Sequence, residues 1–142
     1  MTRLLPVLLA TLLACGSDSE GPSSTAPVCA IPGSYQVTSK RKSGTCQATV
    51  GVGTTTWQFS TDTMGKVTAT APSLPGVVTA VGSGCDYQLA YDLFFQGGAT
   101  STVLSSYSFT ANGFTATTSI TAKDATGTQS CTAVTDDTGV RQ

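Results

Sequence analysis

Few groups in this 142-residue chain could do chemistry, and the missing ones narrow the choice as much as those present. There is no histidine, and Glu20 is the only glutamate. From Cys29 onward, acid–base work would fall to Asp62, Asp86, Asp92, Asp124, Asp136 and Asp137, or to a perturbed lysine or tyrosine. Asp86 and Asp92 lie six residues apart on the polar face of one expected strand, roughly 20 Å at strand rise, too far to act as a carboxylate pair. Asp62, Asp124 and Asp136 each open an Asp-x-x-Gly sequence. That composition suits a type I turn better than a calcium loop, which needs six to eight oxygens. There is no G-x-S-x-G elbow, phosphate-binding glycine loop or zinc motif. No catalytic residue, metal or cofactor is expected, and the chain reads as non-enzymatic.

The chemistry lies in the five cysteines, Cys15, Cys29, Cys46, Cys85 and Cys131. Leu12-Leu13-Ala14-Cys15, followed by Gly16-Ser17, resembles the lipobox of bacterial lipoproteins. Met1-Thr2-Arg3 gives a positive n-region, and Leu4 to Leu13 gives an apolar h-region too short to span a bilayer. The resemblance implies that Cys15 receives a diacylglyceryl thioether, that Met1–Ala14 is removed, and that the new N-terminus is acylated. Two or three chains, palmitate among them, then hold the protein on a membrane, because each buried methylene adds about 0.8 kcal/mol. In that family an aspartate after the cysteine favours inner-membrane retention. The residue here is Gly16, which points to the outer membrane.

With Cys15 committed to lipid, Cys29, Cys46, Cys85 and Cys131 form an even set in an exported chain, the arithmetic of two disulfides. A zinc site has neither C-x-x-C spacing nor histidine to support it. Counting ladder positions puts Cys29 and Cys46 at opposite ends of the first hairpin and Cys46 level with Cys85. The preferred pairing of the three possible is therefore Cys46–Cys85 with Cys29–Cys131.

The domain plan follows: residues 1–14 signal peptide, 15–28 lipidated cysteine and flexible linker, 29–142 a disulfide-stabilised β domain. Gly16–Pro27 contains no large apolar residue and cannot bury enough surface to fold. Net charge is −1 and the pI near 5.0, which argues against nucleic acid as a partner. Charged residues are only 11% of the chain, so serine and threonine do the solvating.

Beyond Cys29 the pattern has period two. Tyr35 and Val37 share one face; Cys46, Ala48, Val50 and Val52 a second; Trp57 and Phe59 a third. Val67 and Ala69 follow, then Val77–Val81. The strongest strand runs Cys85–Phe95, with Tyr87, Leu89, Tyr91 and Leu93 on its apolar face. Asn112-Gly113 reads as a two-residue type I′ turn, pairing Phe109 with Ala116 and Tyr107 with Thr118. The last strand reads Thr128–Val134. Turns are expected at Lys42-Ser43-Gly44, Asp62–Gly65, Gly82–Gly84, Gly97-Gly98 and Asp124–Gly127, with Lys40-Arg41-Lys42 at a solvated hairpin tip. The fold class is all-β: an antiparallel up-and-down meander of about nine short strands, closing as a small lipocalin-like barrel or folding into a two-sheet sandwich.

Two functions fit. One is an envelope lipoprotein whose non-catalytic β domain is a structural or interaction module for a protein or envelope polymer. The other is a carrier holding a small apolar ligand in the barrel, with Trp57, Tyr87, Tyr91 and Tyr107 as candidate ligand contacts. They differ in whether the interior is filled. The lipobox, short spacer and Ser/Thr/Gly-rich surface resemble small lipoproteins of myxobacteria-type genomes, a likeness that implies a location and no activity. Expressed in a Gram-negative host, the protein is expected to lack Met1–Ala14 and carry acyl chains by intact mass, and Cys15→Ser to release it from the membrane fraction.

Overall fold

Side chains on Thr100–Phe109 alternate without a break: Ser101, Val103, Ser105, Tyr107 and Phe109 are buried, and the residues between them face solvent. Such alternation needs one covered face and one wet face, and here a closed sheet supplies both. The computed structural model describes residues 28–142. Cys15, the lipobox and the linker lie outside the described residues. The strands are β1 (Gly33–Gly44), β2 (Gly53–Thr61), β3 (Val67–Thr70), β4 (Val78–Ser83), β5 (Asp86–Phe94), β6 (Thr100–Phe109), β7 (Gly113–Lys123) and β8 (Gln129–Arg141). Each pairs antiparallel with the next, and β8 pairs with β1 to close an eight-stranded up-and-down barrel. Closure leaves no sheet edge.

Among the described residues there are eight strands rather than nine because the alternating stretch Cys46–Val52 is a loop. Its backbone bonds are local, Val50 N–H to Gln47 O at 3.0 Å and Val52 N–H to Thr49 O at 3.3 Å. At its start the Thr45 and Cys46 amides both donate to Thr132 O, at 2.7 and 2.9 Å. Lys40-Arg41-Lys42 is likewise no hairpin tip. It lies within β1, where Lys42 pairs with Asp136 of β8 at 3.0 Å. The last strand runs past Val134 to Arg141, so Asp136-Asp137-Thr138-Gly139 is strand rather than turn.

The disulfides join Cys29 to Cys85 and Cys46 to Cys131, correcting the pairing expected from ladder counting. That count treated Cys46 as part of a strand. Cys46 instead follows β1, and the β1–β8 ladder brings the end of β1 to the start of β8, where Cys131 sits. Cys29 and Cys46 do lie at opposite ends of the molecule. The β6–β7 hairpin is also shifted, by two residues: Phe109 faces Phe114 and Tyr107 faces Ala116. An even shift keeps every side chain on its face, so the apolar set was right while the register was not. Thr110 N–H bonds Gly113 O at 2.8 Å across the turn, and Asn112 has no positive φ. Gly113 is needed for another reason: a Cβ there would lie 2.2 Å from Gly139 O on β8.

The two ends of the barrel differ. One end collects Tyr35, Phe59, Phe109 and Phe114, with ring centroids 5.1–6.1 Å apart, and is packed solid. Gly139 makes room for this packing, since a Cβ on it would fall 2.2 Å from the Phe114 ring. Val28–Pro32 crosses the same end, held by Cys29–Cys85, by Ala30 N–H to Thr110 O, and by the Tyr35 hydroxyl donating to Ala30 O. Arg141 donates to Pro32 O at 2.8 Å. We expect Phe59→Ala, at a site 1% exposed, to cost about 3–5 kcal/mol in urea unfolding. Phe94→Ala, at a residue 80% exposed, should stay within about 0.5 kcal/mol.

Candidate functional site

Inward positions change character toward the other end of the barrel. The row holding Phe114 and Gly139 gives way to Asp137, Ala116 and Tyr107, next to Thr135, Thr118 and Ser105, and then to Ala133, Ile120, Val103 and Tyr91. Small hydroxyl side chains do not reach across an eight-stranded barrel as aromatic rings do, so this half is left open. The result is a cavity of about 370 Å³. Its walls combine apolar side chains, among them Trp57, Leu93, Val103 and Ile120, with the hydroxyls of Ser39, Ser101, Ser105, Thr118 and Thr135, and with Asp137.

The mouth is partly roofed. The loop after β1 brings Val50, Gly51 and Val52 into the cavity wall. Cys46–Cys131 pins that loop to β8, and the inward Arg41 donates to Cys46 O at 3.1 Å. Around the opening, Val52, Val77, Phe94 and Phe95 are exposed. An apolar rim on a lumen that is apolar and hydroxylated suits a ligand with an apolar body.

Asp137 is the chemically distinctive group. It is 7% exposed, and its carboxylate accepts from Thr118 Oγ1 at 2.5 Å and from Thr135 Oγ1 at 3.0 Å. Ser105 Oγ lies 2.8 Å from Thr118 Oγ1, and the Tyr107 side chain is hydrogen-bonded to Ser105. With Thr118 donating to Asp137, Ser105 donates to Thr118, so the chain ends on the carboxylate. The surrounding phenols are harder to ionise than usual. Burial, then the Asp137 charge, pushes Tyr91 up to about 12. Burial also raises Tyr107, against the opposing Ser105 hydrogen bond, with Tyr91 and Asp137 adding to the rise.

The sequence-derived candidates divide. Trp57 and Tyr91 line the cavity, whereas Tyr107 is buried beside Trp57, ring centroids 6.1 Å apart, and is not a lining residue. Tyr87 belongs to the packed end, 6.3 Å from Phe109, and is not a lining residue. Asp137, Thr118, Thr135 and Ser105 were missed. Their alternation with outward residues is visible in the sequence, but the strand expected from it ends at Val134, short of Asp137. Asp62 and Asp124 are turn residues, each accepting amides within its own turn. The Thr126 hydroxyl, then the local amides, hold Asp124 below the usual carboxylate range. Among the described residues no group of three or more His, Cys, Asp or Glu gathers as a metal site.

A broader depression of about 880 Å³ lies outside β4–β8, where Asp86, Gln88, Ser106, Thr117 and Asp136 face solvent. It encloses little, so the lumen is the better site despite its smaller volume. The chain matches no known family, no curated protein and no solved structure. The site must therefore be read from its own geometry.

The tyrosines set an expected alkaline limit. An unfolded chain ionises tyrosine near about 10, while folded Tyr91 holds its proton to about 12. Between these values the folded state binds more protons, so stability is level below about 10 and falls as pH rises through the window. Tyr91→Phe should make that fall shallower. Asp137→Asn should move Tyr91 ionisation to lower pH, read from phenolate absorbance.

Proposed function

We propose that this protein is a lipid-anchored envelope carrier whose barrel holds one small molecule with an apolar body. The observation that carries the reading is the open half of the lumen, about 370 Å³ beside a solidly packed aromatic end. A purely structural module has no need of an unfilled interior, and burying bulkier side chains there would add stability. At about 30 Å³ for each water-sized unit, the volume suits a ligand of roughly a dozen non-hydrogen atoms. The reading is non-catalytic: the cavity wall holds no second carboxylate beside Asp137, and burial makes Tyr91, the other titratable group there, harder to ionise.

Anchoring through Cys15 is part of the proposal and rests on the lipobox Leu12-Leu13-Ala14-Cys15. The outer membrane is favoured by Gly16. A tether joined at Val28 would reach the barrel at its packed end, leaving the mouth on the far side from the membrane. Short, polar Gly16–Pro27, with Asp18 and Glu20 as its charges, suits such a tether. The membrane is then the partner at one end and the small molecule at the other, with no role for nucleic acid.

Trp57 is the single tryptophan and lies in the cavity wall, so its fluorescence reports on the lumen. Phenylbutylamine, phenylbutanol and phenylbutyrate, of matched length, should be titrated into the exported Cys15→Ser protein. At least one should change Trp57 emission saturably at one-to-one stoichiometry. Ser101→Phe, which fills the lumen, should abolish the change. If none of the three produces a saturable signal, the carrier reading fails.

A further inference from the structure

We infer that the lumen's ligand is a small organic cation, an amine or quaternary ammonium on an apolar body, with its charge seated against Asp137. This rests on the carrier reading and deepens it by naming the ligand's chemistry.

Consecutive carboxylates on β8 meet opposite circumstances. Asp136 points outward and pairs with Lys42 at 3.0 Å. Asp137 points inward, is 7% exposed, and among the described residues receives hydroxyl hydrogen bonds alone, from Thr118 and Thr135. Lys42–Asp136 is the ion pair among the described residues, and no lysine or arginine lines the cavity. Arg41 is turned to the roofing loop, with Cys46 O at 3.1 Å and Gln47 O and Val50 O at 3.5 Å. Arg141 is at the packed end, on Pro32 O.

A carboxylate withdrawn from water needs strong donors or an opposite charge, and two neutral hydroxyls meet that need only in part. Each oxygen keeps lone-pair capacity beyond the one bond it accepts. Asp137 also sits in the cavity wall, so a ligand's ammonium can reach it. Trp57 and Tyr91 share that wall, and rings of their kind attract a cation placed over them. Leu93, Val103 and Ile120 suit the apolar body. An anionic ligand of the same shape would meet like-charge repulsion instead.

The same three phenylbutyl probes decide the matter. On the Cys15→Ser protein the amine should bind at least about tenfold more tightly than the alcohol or the carboxylate, as expected for a charge-assisted contact. Asp137→Asn should bring amine and alcohol to within about twofold of each other, while Asp136→Asn keeps the original ranking. Equal binding of amine and alcohol by the unaltered lumen would overturn the cation inference and leave the carrier reading standing. An amine preference that survives in Asp137→Asn would overturn Asp137 as the seat. Binding of none of the probes would remove the carrier reading and this inference with it. The ranking in the unaltered lumen needs no lumen variant, so it decides the cation question even where Asp137→Asn fails to fold.

Discussion

The pairing of β8 with β1 is the constraint on which the rest of the structure depends. A meander with short turns satisfies most of its backbone locally, but its first and last strands stay open until they meet. Their antiparallel ladder runs from Tyr35 opposite Arg141 to Gly44 opposite Ala133. Once formed, it creates an inside, and inward side chains of both strands face the rest of the barrel. It also brings the end of β1 to the start of β8. There Cys46 meets Cys131 and the loop between β1 and β2 is drawn over the mouth.

Within the barrel so formed, the content of the lumen follows from side-chain size. An eight-stranded barrel has an interior that side chains can just fill. Tyr35, Phe59, Phe109 and Phe114 do fill it at one end, with Gly139 supplying the space that Phe114 occupies. At the other end Ser101, Ser105, Thr118 and Thr135 occupy equivalent positions and do not. Ser105 bonds Thr118, and Thr118 and Thr135 bond Asp137, without closing the space. The aromatic end is the filled core of the domain, and the hydroxylated half stays open.

The two disulfides divide along the same line. Cys29–Cys85 fastens the segment that crosses the packed end, and Cys46–Cys131 fastens the roof of the open end. A cross-link stabilises chiefly by restricting the unfolded chain, and more so for longer loops. Sequence separations of 56 and 85 therefore let both contribute to a small domain with few charges.

The period-two pattern by itself determined the all-β class, the inward set Trp57, Leu89, Tyr91, Tyr107 and Phe109, and the Asp62 and Asp124 turns, because burial on one face and side-chain bonds to nearby amides are local properties. The even count of cysteines beyond Cys15 made two disulfides legible. What the sequence left open depends on contacts between residues far apart in the chain. The choice of barrel over sandwich, the cysteine partners and the loop character of Cys46–Val52 all follow from β1 meeting β8. The β6–β7 register differs because the turn closes between Thr110 and Gly113 rather than around Asn112-Gly113, with Gly113 lying against Gly139 of β8. Asp137 was legible as a carboxylate but not as part of the site. The β7–β8 pairing sets it beside Thr118 and Thr135, and closure of the barrel buries it and gives Lys42 to its neighbour instead.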